Sequence, residues 1–194
     1  MGQVRSMLRQ ADLDHPDRGT AAAVTAGENA CATLGLDATG TVVHARLNPA
    51  GGGAWRLSWT NAGHPPLLLL ERPGGRPERL ATQDPLLWPG LTGRPRTSQH
   101  RLLPAGATLL LYTDGLIERR GGDIDAAIDR TGAALAAAPA NRPSPPCSST
   151  WGPRSPALRP PTTSSCLLRG SQPAGPDADR RQLERISWCP ASSR

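Results

Sequence analysis

Two segments of this chain carry residues whose type and position could support chemistry. The first contains Asp114, which follows an apolar run and precedes Gly115. A carboxylate on an Asp-Gly turn at the end of a buried strand is held rigidly at a sheet edge, where oxygen ligands can gather a hard cation. The alternative is that Asp114 only caps a turn, as Asp before Gly often does.

The second segment, residues 61–66, has the sequence Asn-Ala-Gly-His-Pro-Pro and lies at the end of a predicted strand. His64 is a candidate for acid–base chemistry because histidine titrates near neutral pH. We prefer the alternative, in which His64 is a loop residue fixed by the two prolines and packed beside a site. His15, His44 and His100 share no metal-ligand spacing and are expected at the surface.

Periodicity predicts the elements that position both segments. Helices are predicted for residues 1–12, 20–32 and 124–138, where apolar residues recur at helical spacing. Asp123 is a suitable N-cap for the third helix, whereas Gly27 weakens the prediction of the second. Strands are predicted for residues 41–47, 55–61, 67–71, 78–80, 99–103 and 108–112.

One predicted strand places two tryptophans on the same side. Trp55, Leu57 and Trp59 alternate with polar residues. The tryptophans could form a stacking platform for nucleic acid. Because spacing of two is the usual pattern of a buried strand face, we predict instead that they are buried.

The last part of the chain has a different composition. Residues 141–194 contain ten Pro, many Ser and Arg, and no apolar periodicity, so a disordered tail is predicted. Eight Arg against three acidic residues place +5 of the formal charge of +6 in this tail. Nucleic-acid binding through the tail is the least favoured function, because these arginines form no amphipathic pattern or motif. We therefore expect no nucleic-acid partner.

The rest of the composition favours a cytoplasmic protein without a membrane span. The chain does not begin with a charged segment followed by an apolar stretch of signal-peptide length. The apolar run at residues 67–70 is far shorter than the roughly 20 residues that cross a bilayer. The four cysteines form no CxxC or Cys/His cluster, so they predict no metal site.

Together the two segments resemble the paired signature of SpoIIE-like, PPM-type, metal-dependent serine/threonine protein phosphatases. Between them, residues 103–106 (Leu-Pro-Ala-Gly) resemble the family's LpPGd turn. The resemblance covers roughly residues 1–138. The matching positions in the two segments are Asn61, Gly63, His64, Thr113, Asp114 and Gly115.

This resemblance implies a fold, a reaction and partners. The fold class is α+β, a partial two-sheet β-sandwich flanked by helices. In the family, the aspartate that corresponds to Asp114 ligates one of two Mn²⁺ or Mg²⁺ ions, which activate a bridging water to attack phosphoserine or phosphothreonine. The implied partner is a phosphorylated protein, such as an anti-sigma-factor antagonist. The residues implied to lie in loops near the site are Asn61, Gly63, His64, Thr113 and Gly115.

The family pattern is incomplete in this sequence. The family takes further acidic ligands from an N-terminal GGD strand, a GDVxGHG turn and a C-terminal DD strand, and none of these motifs is present. One aspartate supplies too few ligands to hold two divalent ions at micromolar metal. We therefore predict a partial SpoIIE-like phosphatase domain over residues 1–140 that is impaired or inactive by itself. The alternative is a non-catalytic module that binds a phosphoprotein or an anti-sigma-factor antagonist.

The tail at residues 141–194 suggests a cause for the missing DD motif. Residues 160–165, Pro-Pro-Thr-Thr-Ser-Ser, correspond to CCN, CCN, ACN, ACN and, on the assumption that neither serine uses an AGC or AGT codon, two TCN codons. With G at most third positions, the frame that starts on each third base encodes Ala-Asp-Asp-Val-Val. We therefore hypothesise a frameshift near Asn141 or Arg142, which makes the tail a translation of another frame.

Overall fold

The computed structural model describes residues 2–82, 84–88, 93–117, 122–138, 165–169 and 184–188. The helices in this part of the chain are α1 (Gly2–Asp14), a 3₁₀ helix (Pro16–Arg18), α2 (Gly19–Thr33), α3 (Asp114–Ile117) and α4 (Ile124–Ala137). The strands are β1 (Val42–Pro49), β2 (Trp55–Ala62), β3 (Leu67–Leu70), β4 (Glu78–Leu80), β5 (Gln99–Leu103), β6 (Thr108–Tyr112), β7 (Ser165–Arg169) and β8 (Glu184–Trp188). Every helix and strand predicted from the sequence is present.

The chain divides into two compact units, each with a four-stranded antiparallel sheet. The first unit contains α1, α2 and a sheet of order β5-β2-β1-β8. The second contains α3, α4 and a sheet of order β4-β3-β6-β7. Two antiparallel sheets with helices confirm the predicted α+β class.

Two of these strands lie within the predicted disordered tail. β7 pairs with β6, and β8 pairs with β1. The other residues of the predicted tail lie outside the described residues, so the boundary at residue 140 stays a prediction. Within the described residues, no helix is long and apolar enough to cross a membrane.

In the first unit, α1 and α2 pack together through an apolar core. Val4 and Leu8 of α1 and Val24 of α2 are buried in it, as their helical spacing predicted. Gly27 lies where the two helices approach closely, because a Cβ atom there would stand 2.6 Å from Cδ2 of Leu8. The glycine that weakened the prediction of α2 therefore allows the helices to pack.

The interface of α1 with the sheet also contains a buried cluster of charged residues. Asp12 and His44 are fully buried, and His44 Nε2 lies 3.0 Å from Asp12 Oδ1. Arg46 donates to the same carboxylate and to the carbonyl oxygen of Pro16. Burial raises the pKa of Asp12, but hydrogen bonds and charges from His44 and Arg46 outweigh it and hold that pKa below its ordinary value.

This cluster corrects one prediction from the sequence and leaves another in place. The expectation that His44 lies at the surface is wrong, because β1 directs this residue toward α1, where Asp12 accepts its hydrogen bond. The prediction that the tryptophans of β2 are buried is confirmed for Trp59, which is 5% exposed. Trp55 is half-buried.

The second unit packs α4 against its sheet. Apolar side chains of β3, β6, α3 and α4 form its core, among them Leu68, Leu110 and Ile128. Asp123 caps α4 as predicted, since its side chain accepts from the backbone N–H groups of residues 125 and 126. Arg79 of β4 adds exposed ion pairs to two aspartates of α4. Because these pairs are exposed to solvent, they contribute little to stability.

The buried cluster leads to a prediction about Asp12. We expect Asp12→Asn to lower the free energy of unfolding by about 3 kcal/mol at neutral pH, because Arg46 then remains buried without a counter-ion. Urea unfolding measures this change. The control is Asp14→Asn, because Asp14 is an exposed residue of the same helix, and we expect a change within about 0.5 kcal/mol.

The difference in the free energy of unfolding between wild type and Asp12→Asn should depend on pH. Because the folded pKa of Asp12 lies below its ordinary value of 3.8, its contribution is complete above that pH and is lost as the pH falls through the folded pKa. The difference in stability between wild type and Asp12→Asn should therefore shrink in acid. A difference that stays constant down to pH 2 would contradict this interpretation.

Tyr112 gives a prediction for the second unit. Burial raises its pKa to about 12, although the charge of Arg79 opposes the shift. Tyr112 is the single tyrosine of the chain, so absorbance at the tyrosinate band reports on it alone. We expect a midpoint near pH 12 in the folded protein and near pH 10 after unfolding in urea.

The sign of the linked stability change follows from the raised pKa. The contribution of Tyr112 is complete below pH 10 and is lost as the pH rises through 12. Tyr112→Phe serves as the control, because it removes the absorbance change. A midpoint near pH 10 under native conditions would show that this phenol is not buried.

Candidate functional site

The turn at residues 61–64 includes the last two residues of β2 and is closed by hydrogen bonds of its own. The buried side chain of Asn61 donates from Nδ2 to the carbonyl oxygen of His64 at 2.8 Å. In return, the backbone N–H of His64 donates to Oδ1 of Asn61 at 2.8 Å. The side-chain amide thus pairs both backbone groups of His64, which requires a donor and an acceptor on one side chain.

Gly63 is required in this turn by its conformation and by its surroundings. Its φ is +69°, in the left-handed region that favours glycine. A Cβ atom at this position would lie 2.6 Å from Cβ and 3.0 Å from Cα of Leu86. The turn therefore packs directly against the backbone of the segment that contains Leu86.

That neighbouring segment is hydrogen-bonded to the 61–64 turn. The backbone N–H of Gly63 donates to the carbonyl oxygen of Asp84 at 2.9 Å, and the N–H of Asp84 donates to the carbonyl oxygen of Asn61 at 3.3 Å. The Asp84 carboxylate accepts from the backbone N–H of Thr97 at 2.8 Å and from its hydroxyl at 3.0 Å. The position of the turn is thus tied to residues that are distant in sequence.

His64 is packed within this arrangement. Its side chain is 8% exposed, and Nδ1 lies 3.0 Å from Oγ1 of Thr41. This geometry agrees with the preferred interpretation of His64 as a fixed loop residue. A part for His64 in a reaction stays a prediction.

The second signature segment lies in the second unit, at the end of β6. Thr113 is buried, and its carbonyl oxygen accepts from the backbone N–H of Leu116 at 3.0 Å. Asp114 begins the four-residue helix α3, so the tight Asp-Gly turn predicted there is replaced by one helical turn. The side chain of Asp114 lies outside the described part of the chain.

The structure thus brings the predicted residues together in two groups. Asn61, Gly63 and His64 share one turn in the first unit. The other group, Thr113 with residues 114 and 115, is continuous in the second unit.

The described carboxylates do not form a metal site. The described part of the chain contains no group of three or more His, Cys, Asp or Glu side chains that could hold a metal ion. Its buried carboxylates are bound by protein groups: Asp12 by His44 and Arg46, Glu28 by Arg96, and Asp84 by Thr97. The His, Cys, Asp and Glu side chains that the structure describes therefore do not form a site for the two divalent ions that the resemblance implies.

Two buried ionic contacts of the first unit were not predicted from the sequence. Glu28 of α2 pairs with Arg96, and Asp12 of α1 pairs with Arg46. One signal was available, since His44 and Arg46 interrupt an otherwise apolar strand at spacing two and so share a face. No sequence signal connects Glu28 with Arg96.

Solved structures provide a comparison for this geometry. The RsbU and RsbW domains of Rv1364c from Mycobacterium tuberculosis share 24% identity with a TM-score of 0.55, over 70% of this chain and 37% of that chain. The match thus spans little more than a third of that chain, and at this identity it shows the fold alone. The catalytic domain of the serine threonine protein phosphatase PstP, in complex with two manganese ions, has 24% identity and a TM-score of 0.43. That match covers 70% of this chain and 72% of the PstP chain.

Sequence comparisons identify the family. Curated protein sequences give no match. The model of the family described as Stage II sporulation protein E (SpoIIE) matches residues 1–151, which is most of the chain and includes both signature segments. The resemblance that those segments suggested is confirmed, and this chain belongs to the SpoIIE family.

Proposed function

We propose that this chain carries the scaffold of a metal-dependent protein serine/threonine phosphatase. In this reaction, water activated by Mn²⁺ or Mg²⁺ attacks phosphoserine or phosphothreonine of a phosphorylated protein. The observation that carries the proposal is the SpoIIE family match, which includes two signature segments that lie at the ends of strands β2 and β6. Asp114 is the proposed metal ligand, and the 61–64 turn is proposed to lie near the site.

We further propose that the chain by itself is impaired or inactive. The GGD, GDVxGHG and DD motifs are missing from the sequence. The buried carboxylates of the described residues are already bound by arginine, histidine or threonine, and replacing those partners with a metal would leave Arg46 and Arg96 buried without counter-ions. Without those motifs, Asp114 is the one acidic ligand that the resemblance identifies in this sequence, and one aspartate supplies too few ligands to hold two divalent ions.

A second candidate function is a non-catalytic binding module. The 61–64 turn favours it, because this turn is closed by hydrogen bonds within the protein and needs no metal to keep its shape. The proposed ligand is a phosphoprotein, for example an anti-sigma-factor antagonist. Such binding would persist in the presence of a chelator.

The activity of the purified chain tests both candidates. We expect Mn²⁺ to cause no increase in the hydrolysis of a phosphoserine peptide, with the same rate for wild type and Asp114→Asn. Retention of a phosphoprotein in EDTA, without hydrolysis, supports the binding module. Mn²⁺-dependent hydrolysis that Asp114→Asn abolishes contradicts the proposed inactivity and makes the chain a phosphatase.

The coding sequence tests the proposed origin of the tail. We expect the offset frame across residues 160–165 to encode Ala-Asp-Asp-Val-Val, and the DNA upstream of Met1 to encode the GGD and GDVxGHG motifs. Determination of the genomic sequence from several hundred bases upstream through the codons after Arg194 measures this. If neither motif set is present, the tail is genuine and the binding module becomes the better proposal.

A further inference from the structure

We propose that Glu28, Asp84 and Arg96 are positioning residues for the 61–64 turn. These three side chains, named here the Arg96 brace, connect α2 to the turn through the segments at residues 84–88 and 93–98. The inference rests on the proposed function, since the turn matters only if it lies beside a phosphoprotein or catalytic site. The brace itself is defined by contacts within the first unit alone.

The first connection joins the turn to Asp84 through the backbone. Residues 62 and 84 form an isolated parallel bridge, with the two hydrogen bonds from Gly63 to Asp84 and from Asp84 to Asn61. Gly63 also packs against Leu86, with no space for a Cβ atom. Any displacement of residues 84–86 must therefore move the turn or break these hydrogen bonds.

The second connection joins Asp84 to the segment that contains Arg96. The Asp84 carboxylate binds Thr97 through both oxygens, at 3.0 Å and 2.8 Å. Arg96 adds a second crosslink, because its Nη1 donates to the carbonyl oxygen of Pro85 at 2.6 Å. Residues 84 and 85 are thus bound by two consecutive residues, Arg96 and Thr97.

The third connection joins Arg96 to α2 through a buried ion pair. Arg96 Nη2 lies 2.9 Å from Oε1 and 3.0 Å from Oε2 of Glu28, and the two side chains are 0% and 3% exposed. Removal of either partner from such a buried pair is strongly destabilising, because the remaining charge is buried without a counter-ion. A helix is also a rigid anchor, so the pair transmits the position of α2 to the segment that holds the turn.

Residues 84–88 are fixed beside the turn by polar contacts as well as by apolar packing. Residues 84–88 contain Leu86 and Trp88, which are 38% and 51% exposed, so apolar burial of this segment is incomplete. Leu87 is buried and forms a two-hydrogen-bond bridge with Gly40. Leu87 thus anchors the segment in the apolar core, the polar contacts fix residues 84 and 85 beside the turn, and Arg96 provides the connection to α2.

Amide hydrogen exchange and histidine NMR on the full chain test this inference without any assay of hydrolysis. In Arg96→Gln, we expect exchange at the Gly63 amide to accelerate about tenfold or more relative to amides in the centre of β1. We also expect the ring ¹⁵N chemical shifts of His64 to change, because its Nδ1 lies 3.0 Å from Oγ1 of Thr41 and its backbone N–H is held by Asn61. Arg96→Lys keeps a charge beside Glu28 and should restore part of the protection.

The matched control is Arg79→Gln, which removes an arginine with two ion pairs in the second unit. It should leave the Gly63 amide and the His64 signals unchanged. The same acceleration at Gly63 and at the centre of β1 in Arg96→Gln, or an equal effect of Arg79→Gln, would overturn the inference. If Arg96→Gln does not fold, Arg96→Lys and Asp84→Asn decide by the same measurements.

These outcomes are separate from those of the proposed function. Suppose that Arg96→Gln loses protection at Gly63, but the wild-type chain neither binds nor hydrolyses a phosphoprotein. The positioning role of the Arg96 brace would then be supported, and the proposed function would be wrong. If the wild-type chain binds a phosphoprotein and Arg96→Gln leaves protection at Gly63 unchanged, the positioning role would be wrong and the proposed function would be supported.

Discussion

The first unit depends on the pairing of charges that are buried between its helices and its other elements. Asp12 of α1 neutralises Arg46 of β1, and Glu28 of α2 neutralises Arg96. A buried charge without a partner is too costly to persist, so each pair demands that its two elements stay together. The apolar core of α1 and α2 supplies most of the driving force for packing, and the ion pairs specify where the helices lie.

The same constraint reaches the candidate site. Because Arg96 is held by α2, residues 84–86 have a defined position, and the 61–64 turn is hydrogen-bonded to them. Asn61 then closes the turn upon itself with two further hydrogen bonds. A turn that is closed in this way needs no metal to keep its shape.

The elements of the fold were largely predictable, whereas the contacts within the site were not. Alternating residues in β2, the apolar run of β6 and the N-cap of α4 are local patterns, and each of them predicted its element. His44 was placed wrongly because a polar residue in a strand is ordinarily exposed, and only the partner on α1 makes its burial favourable. The short helix at Asp114 also differed from the predicted turn, because Asp followed by Gly is compatible with both conformations.

The sequence by itself determined the family, the order of the helices and strands, and the residue types of both signature segments, because these are local patterns. The tertiary structure decided which charges meet, since Glu28 and Arg96 are far apart in the chain and become neighbours only when α2 packs beside the segment that follows β4. It also decided that Gly63 must be glycine in two respects, through its φ and through the backbone of Leu86 against it. Periodicity cannot encode such contacts, because they depend on the distance between elements and not on the spacing within one element.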